Sequence, residues 1–166
     1  LKKCFKITFN RENKETKQNR WRSKESILVN KIVVVLSAMA GVTNELQSLI
    51  DEVNINKTNN FVPSTESDMV MTSGEQVSVG LLSMILNNLN IKSIPLLGWQ
   101  IPIVTDSNYE KSRILNIDKK NIKHYFNTFD VIVLAGFQGI NTQGKITSLG
   151  RGGSDTTAVA IASALE

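Results

Sequence analysis

An α/β fold with a mostly parallel sheet, covered on both faces, is predicted by three features of this 166-residue sequence. Two short runs, Lys31-Ile-Val-Val-Val-Leu36 and Val131-Ile-Val-Leu-Ala135, are continuously apolar rather than alternating, as strands buried on both faces are. Between them lie segments whose apolar residues recur at helical spacing. Stretches of glycine and small residues follow, at the places where such sheets bind ligands: the carboxyl ends of strands and the amino ends of helices.

Residues 1–30 hold nine Lys or Arg against three Glu, a net charge of +6, and sustain neither a helical nor a strand period. This head is expected to be a disordered or vestigial segment. From Lys31 the character changes. After the strand ending at Leu36, Thr43 or Asn44 is the expected cap of a helix carrying Leu46, Leu49, Ile50 and Val53. Asn54 to Thr65, polar and containing Pro63, reads as loop. A second helix is expected to open at Ser73-Gly74-Glu75 and to bury Val77, Leu81, Leu82, Ile85 and Leu89. Ser93 to Leu97 reads as a strand, Gly98 to Asn108 as a long loop, and Asn121 to Phe129 as a helix. The strand at Val131–Ala135 should lie parallel to and near the first. A last helix starts at about Ser154, introduced by Gly152-Gly153.

Composition narrows the function. With 41% hydrophobic and 20% charged residues the chain is globular, and no run of eighteen apolar residues suggests a membrane span. A single cysteine, Cys4, excludes an internal disulfide and a multi-Cys zinc site and suits the cytoplasm. The overall charge of +4 would hint at polyanions, but the 136 residues after the head carry −2, with ten basic against twelve acidic residues. Neither nucleic acid nor membrane is therefore an expected partner. No apolar stretch follows the basic head, so it is not a signal peptide. The chain opens with Leu1 and stops inside an apolar pattern at Leu165-Glu166, and both ends read as cut.

Four groups of residues could carry chemistry. Leu149-Gly-Arg-Gly-Gly-Ser-Asp155 combines a close-approach backbone, a helix amino terminus and the forked cation of Arg151, which together suit a carboxylate or phosphate. The bland alternative is a glycine loop in which Ser154 or Asp155 caps the helix. Ser37-Ala-Met-Ala-Gly-Val-Thr-Asn44 reads equally as an anion-binding turn or as a strand-to-helix turn capped by Thr43. Glu75, taken as a first-turn carboxylate, reads more readily as a favourable helix-end charge than as a partner for an ammonium group. His124, in a polar helix with no metal-ligating partner nearby in sequence, reads as surface. No GxGxxG follows either strong strand, which sets a dinucleotide-binding function aside.

Taken together, the segments VVVLSAMAGVTNEL, DMVMTSGEQVS, TDSNYEKSRI and VIVLAGFQGINTQGKITSLGRGGSDTTAVAIASAL, in this order, resemble aspartate kinase of the monofunctional bacterial type, in the amino-acid kinase superfamily. The resemblance runs from Lys31 to Glu166 and corresponds to the middle of a family kinase domain. It implies the three-layer α/β/α, carbamate kinase-like fold, and ATP- and Mg2+-dependent phosphorylation of the aspartate β-carboxylate on the route to lysine, threonine and methionine. By resemblance, Ser37 and Thr43 bind aspartate, Glu75 pairs with its amino group, and the loop of Phe137 lines the site. Arg151 grips a substrate carboxylate beside Ser154, and Asp155 is the catalytic-site aspartate that orients the transferring lysine. Family members are oligomeric. Gln76 stands where many have Arg.

The departures are as informative. The family's opening strand carries a KFGGTS motif that holds the ATP phosphates, and residues 1–30 contain none. The nucleotide-binding half and the regulatory ACT domains, which follow in the family, are likewise expected to be absent. Residues 31–166 are then the substrate-binding part of a kinase domain. A catalytically inactive remnant of an aspartate kinase is the alternative reading.

Overall fold

The computed structural model describes residues 31–53 and 64–166 together with the backbone of residues 3–7. Its centre is a four-stranded, fully parallel sheet in the order β1 (Lys3–Ile7), β2 (Ile32–Leu36), β6 (Val131–Ala135), β3 (Ser93–Leu96). The two strongest apolar runs are direct neighbours, with Ile32 opposite Val131 and Leu36 opposite Ala135. Every residue of β2 and β6 is buried, and the pleat explains why both had to be apolar throughout. Val33, Val35, Ile132 and Leu134 point to one face, where they meet Ile122, Phe126 and Ile161. Ile32, Val34, Leu36, Val131, Val133 and Ala135 point to the other, against Val79, Leu82 and Leu86. Fully burying one such side chain is worth about 1.5–3 kcal/mol, so these two strands carry much of the fold's hydrophobic free energy. At their feet the Lys31 ammonium pairs with Asp130 at 2.9 Å.

Four helices occur among the described residues: α1 (Val42–Val53), α2 (Thr65–Asn88), α3 (Lys119–Tyr125) and α4 (Gly153–Leu165). The predicted three-layer arrangement holds, with α2 on one face of the parallel sheet and α4 against β1 and β2. A second sheet, which sequence reading did not foresee, has the order β5 (Ile114–Ile117), β4 (Ile103–Thr105), β7 (Gln138–Asn141), β8 (Ile146–Ser148). It is mixed: β4 runs antiparallel to β5 and parallel to β7, and β7 and β8 are antiparallel. The segment read as one loop from Gly98 to Asn108 therefore contains β4.

Three other expectations are corrected. The basic head contains a strand after all, since Lys3 to Ile7 pair in register with Ile32 to Leu36; residues 8–30 lie outside the described part. Helix α1 begins at Val42, so Thr43 and Asn44 sit inside its first turn instead of capping it. Helix α2 begins at Thr65, not at Ser73. Ser64 and Ser67 exchange capping hydrogen bonds there, with Glu66 and Asp68 in the first turn, whereas residues 54–63 of the expected loop lie outside the described part.

The buried side of α2 also differs from the expected one. Val77, Leu81, Ile85 and Leu89 are each roughly half exposed, and of the expected set only Leu82 is buried. The buried stripe is Asp68, Thr72, Glu75, Val79, Leu82 and Leu86, a spacing of four and three. Because α2 is apolar on more than one side, apolar periodicity could not choose its face. Two carboxylates and a threonine at the head of the stripe choose it, through the partners they find. The helix is long and apolar enough by composition to cross a membrane, yet its inner stripe is packed on the sheet.

Candidate functional site

Three chain segments meet at the carboxyl ends of β2 and β6: Ser37-Ala38, Gly136-Phe137, and the Gly150–Ser154 turn that starts α4. Helix α2 crosses above them and delivers Glu75 from its middle. The approach is close because residue 74 is glycine: a Cβ there would lie 2.8 Å from the Cβ of Ala38. Gly74, taken from sequence as a helix opener, is thus a contact point inside the helix.

Glu75 is 5% exposed. Its Oε1 accepts the Ala38 amide at 2.9 Å, while its Oε2 is buried with no hydrogen-bond partner among the described residues. Burial pushes its pKa up to about 7, against the opposing pull of the Ala38 hydrogen bond. Sitting mid-helix, it gains nothing from the helix end, so the capping explanation fails. A buried carboxylate with one oxygen left over is costly, and its cost falls when a cationic donor enters.

Facing it is the start of α4. Its cap is Gly152, at φ +75°, which has no side chain to bond the first turn, and Ser154 and Asp155 lie inside the helix instead of at the cap position. The amino terminus of α4 is left to present its positive end to the cleft. Arg151, in the turn before it, is exposed and lines the same cleft. Phe137 holds a left-handed backbone at φ +67°, unusual for an aromatic residue. It is fixed there by donating to Thr157 Oγ1 at 3.2 Å and accepting from the Leu149 amide at 2.9 Å. Strain held in place this way clusters at functional sites.

Ser37, Thr43, Glu75, Phe137, Arg151 and Ser154 together line one cleft of about 220 Å³. That volume lies below the roughly 300–1,000 Å³ of sites for drug-sized ligands, so the cleft suits a small metabolite. Asp155 is exposed beside Ser154 on the first turn of α4 and does not line the cleft. His124 is on the surface, as expected.

Sequence reading missed Gln138 and Asp68. Gln138 is buried beside Phe137; its amide donates to the Thr72 carbonyl of α2 and accepts from the Gly98 amide, each at 3.3 Å. Asp68 is fully buried two turns before Glu75. The available signal was the spacing of Asp68, Thr72 and Glu75, polar residues on one side of an otherwise apolar helix.

Residues 16–166 match the sequence profile of the amino acid kinase family, and the chain belongs to that family. It is 46% identical over 137 residues to an aspartokinase of Bacillus sp. (strain MGA3), a match covering 82% of this chain and 32% of that protein. It is likewise 46% identical over 135 residues to an aspartate kinase of Pseudomonas fluorescens (strain SBW25), covering 81% of this chain and 32% of the relative. The chain thus spans about a third of the length of these relatives. Among solved structures, E. coli aspartokinase III in complex with aspartate and ADP superposes with a TM-score of 0.71 over 98% of this chain and 46% of that one, and its 21% identity speaks for the fold alone. The aspartate kinase from Synechocystis superposes with a TM-score of 0.62 at 31% identity, covering 96% of this chain and 26% of that structure.

Proposed function

We propose that this member of the amino acid kinase family provides the aspartate-holding part of an aspartate kinase, which transfers the γ-phosphoryl group of ATP to the β-carboxylate of L-aspartate in the cytoplasm. In that reaction a carboxylate oxygen attacks the γ-phosphorus, the bond to the bridging oxygen breaks, and ADP leaves with 4-phosphoaspartate as product. One observation carries the reading: in a single small cleft, the Oε2 of Glu75, without a partner among the described residues, shares the space with the Arg151 guanidinium and the glycine-capped start of α4. An amino acid with a second carboxylate needs an anionic partner for its ammonium and cationic partners for its carboxylates.

The residues take roles on that basis. Glu75 receives the substrate ammonium, which returns its carboxylate to the charged form. Arg151 forks onto a carboxylate that the α4 amino terminus also favours. The hydroxyls of Ser37, Thr43 and Ser154 complete the polar wall, and the backbone around Phe137 shapes it. Asp155, next to Ser154 but outside the wall, is assigned to the transferring group rather than to aspartate. The relatives at 46% identity are aspartate kinases, which supports a nucleotide as the second substrate. Mg2+ would enter with ATP, held mainly by its phosphates, and among the described residues no three His, Cys, Asp or Glu gather as a metal site of the chain's own.

A second reading, an inactive remnant that binds aspartate without phosphorylating it, is favoured by one fact. Arg151 is the single Lys or Arg lining the cleft among the described residues, whereas phosphoryl transfer relies on several positioned cations around the γ-phosphate. Calorimetry with L-aspartate and a hydroxamate assay with Mg-ATP on the purified chain separate the readings. Binding with no acyl phosphate supports the remnant. Turnover that disappears in Asp155→Ala supports the kinase. Failure to bind aspartate at all overturns both.

A further inference from the structure

Among the described residues, the buried carboxylate with the most hydrogen-bond donors lies outside the cleft. Asp68 is fully buried on the inner stripe of α2, seven residues before Glu75. Its Oδ2 accepts the Ser148 amide at 2.7 Å and its Oδ1 accepts the Ser148 hydroxyl at 2.7 Å. The Glu110 amide forks across both oxygens, at 3.1 and 3.2 Å. Burial still pushes the Asp68 carboxyl up, the donors only in part offsetting its loss of water.

One partner belongs to the strand that leads into the cleft, the other to the loop packed against that turn at Gly150. Ser148 ends β8, three residues before Arg151, and its carbonyl accepts the Ser112 amide at 2.9 Å. Glu110 holds a left-handed backbone at φ +63°, and its carbonyl lies where a Cβ on Gly150 would come within 2.7 Å. Asp68 therefore grips, from one side, the strand that leads into the Arg151 turn and the loop on which that turn rests. Glu75 is fixed independently, by Ala38, on the same helix.

We propose that Asp68 is a positioning residue: through Ser148 and Glu110 it sets the Arg151 turn at a fixed distance from Glu75, with α2 as the rigid spacer. The proposal rests on the aspartate-binding reading for its consequence in affinity, but its structural half stands without a ligand. Misplacing a binding group by an ångström is enough to cost up to about a hundredfold in the function it serves.

Two measurements on the full chain test it. Hydrogen exchange in Asp68→Asn should speed up by about tenfold or more at Glu110 and from Leu149 to Ser154, while Ile132 to Leu134 and Ala38 keep their protection. Uniform acceleration across the core would make Asp68 a general stability residue and overturn the proposal, as would unchanged exchange at the turn. Calorimetry with L-aspartate should show roughly tenfold weaker binding in Asp68→Asn, and no further loss when the change is made on Arg151→Ala. Independent, additive losses would also overturn it. If the wild-type chain binds no aspartate, the functional reading fails and exchange alone decides the role of Asp68. Should Asp68→Asn not fold, Ser148→Ala, which removes only the hydroxyl donor, carries both measurements at smaller amplitude.

Discussion

Two turns of one helix hold two buried carboxylates in opposite circumstances. Around Asp68 three donors converge and both oxygens are occupied. Around Glu75 one donor arrives and Oε2 is left without a partner among the described residues. Both side chains are shut off from water, and burial raises the pKa of both. The difference between them is the number of bonds the protein supplies. A saturated carboxylate is a fastener, and a half-saturated one is a vacancy held open for something outside the chain.

The sharpest test of this comparison adds a third carboxylate with no donors at all. Val133 is fully buried in β6 among Ile32, Val34 and Val79. Val133→Asp should cost more than about 5 kcal/mol, comparable with the whole stability of a domain, and abolish soluble expression. Folded Val133→Asp protein would break the ranking and the assignment of β6 as a strand covered on both faces.

Next comes the half-satisfied group. Glu75 folds with a pKa of about 7 against an ordinary 4.5, so the folded state holds its proton more tightly. Its contribution to stability is fully present below about pH 4.5 and is lost as pH rises through about 7. Glu75→Gln should remove that slope and raise stability at pH 8 by on the order of 1–3 kcal/mol in urea unfolding, while abolishing aspartate binding. A Glu75→Gln variant less stable than wild type at pH 8 would mean that the second oxygen already has a partner.

The smallest expected effect concerns the ligand. An ammonium binds the ionised carboxylate, and Glu75 titrates at about 7, so aspartate affinity of the wild-type chain should fall about tenfold between pH 8 and pH 6. Affinity flat across that range would remove Glu75 from the ammonium's side of the cleft.

What could be read from sequence follows the same division between saturated packing and chemistry. The continuous β-branched runs of β2 and β6 are unambiguous because only a strand covered on both faces needs them, and their adjacency followed. The glycine-rich turn before α4 was readable because Arg151 between glycines is an odd choice for a mere cap. The four strands of the second sheet span three or four residues each and mix in Thr, Asn, Gln and Ser, too few to display a period. Strand β1 has two lysines in five residues, which masks a strand; among the described strands it stands at the end of the sheet order. Asp68 and Gln138 went unread because their value lies in distant donors and acceptors, a relation that no local pattern records.

The pairing of β2 with β6 has a kinetic side. The ion pair at their base joins residues 99 positions apart in the chain, and the strands themselves are separated to the same degree. Closing so long a loop must precede the contacts that reward it, which slows folding. Ser37 and Phe137 lie just past the ends of these two strands, so the cleft cannot exist in any species that has not made this late connection. In a refolding experiment, the capacity to take up ligand should therefore appear in the last phase, together with burial of the sheet and never ahead of it.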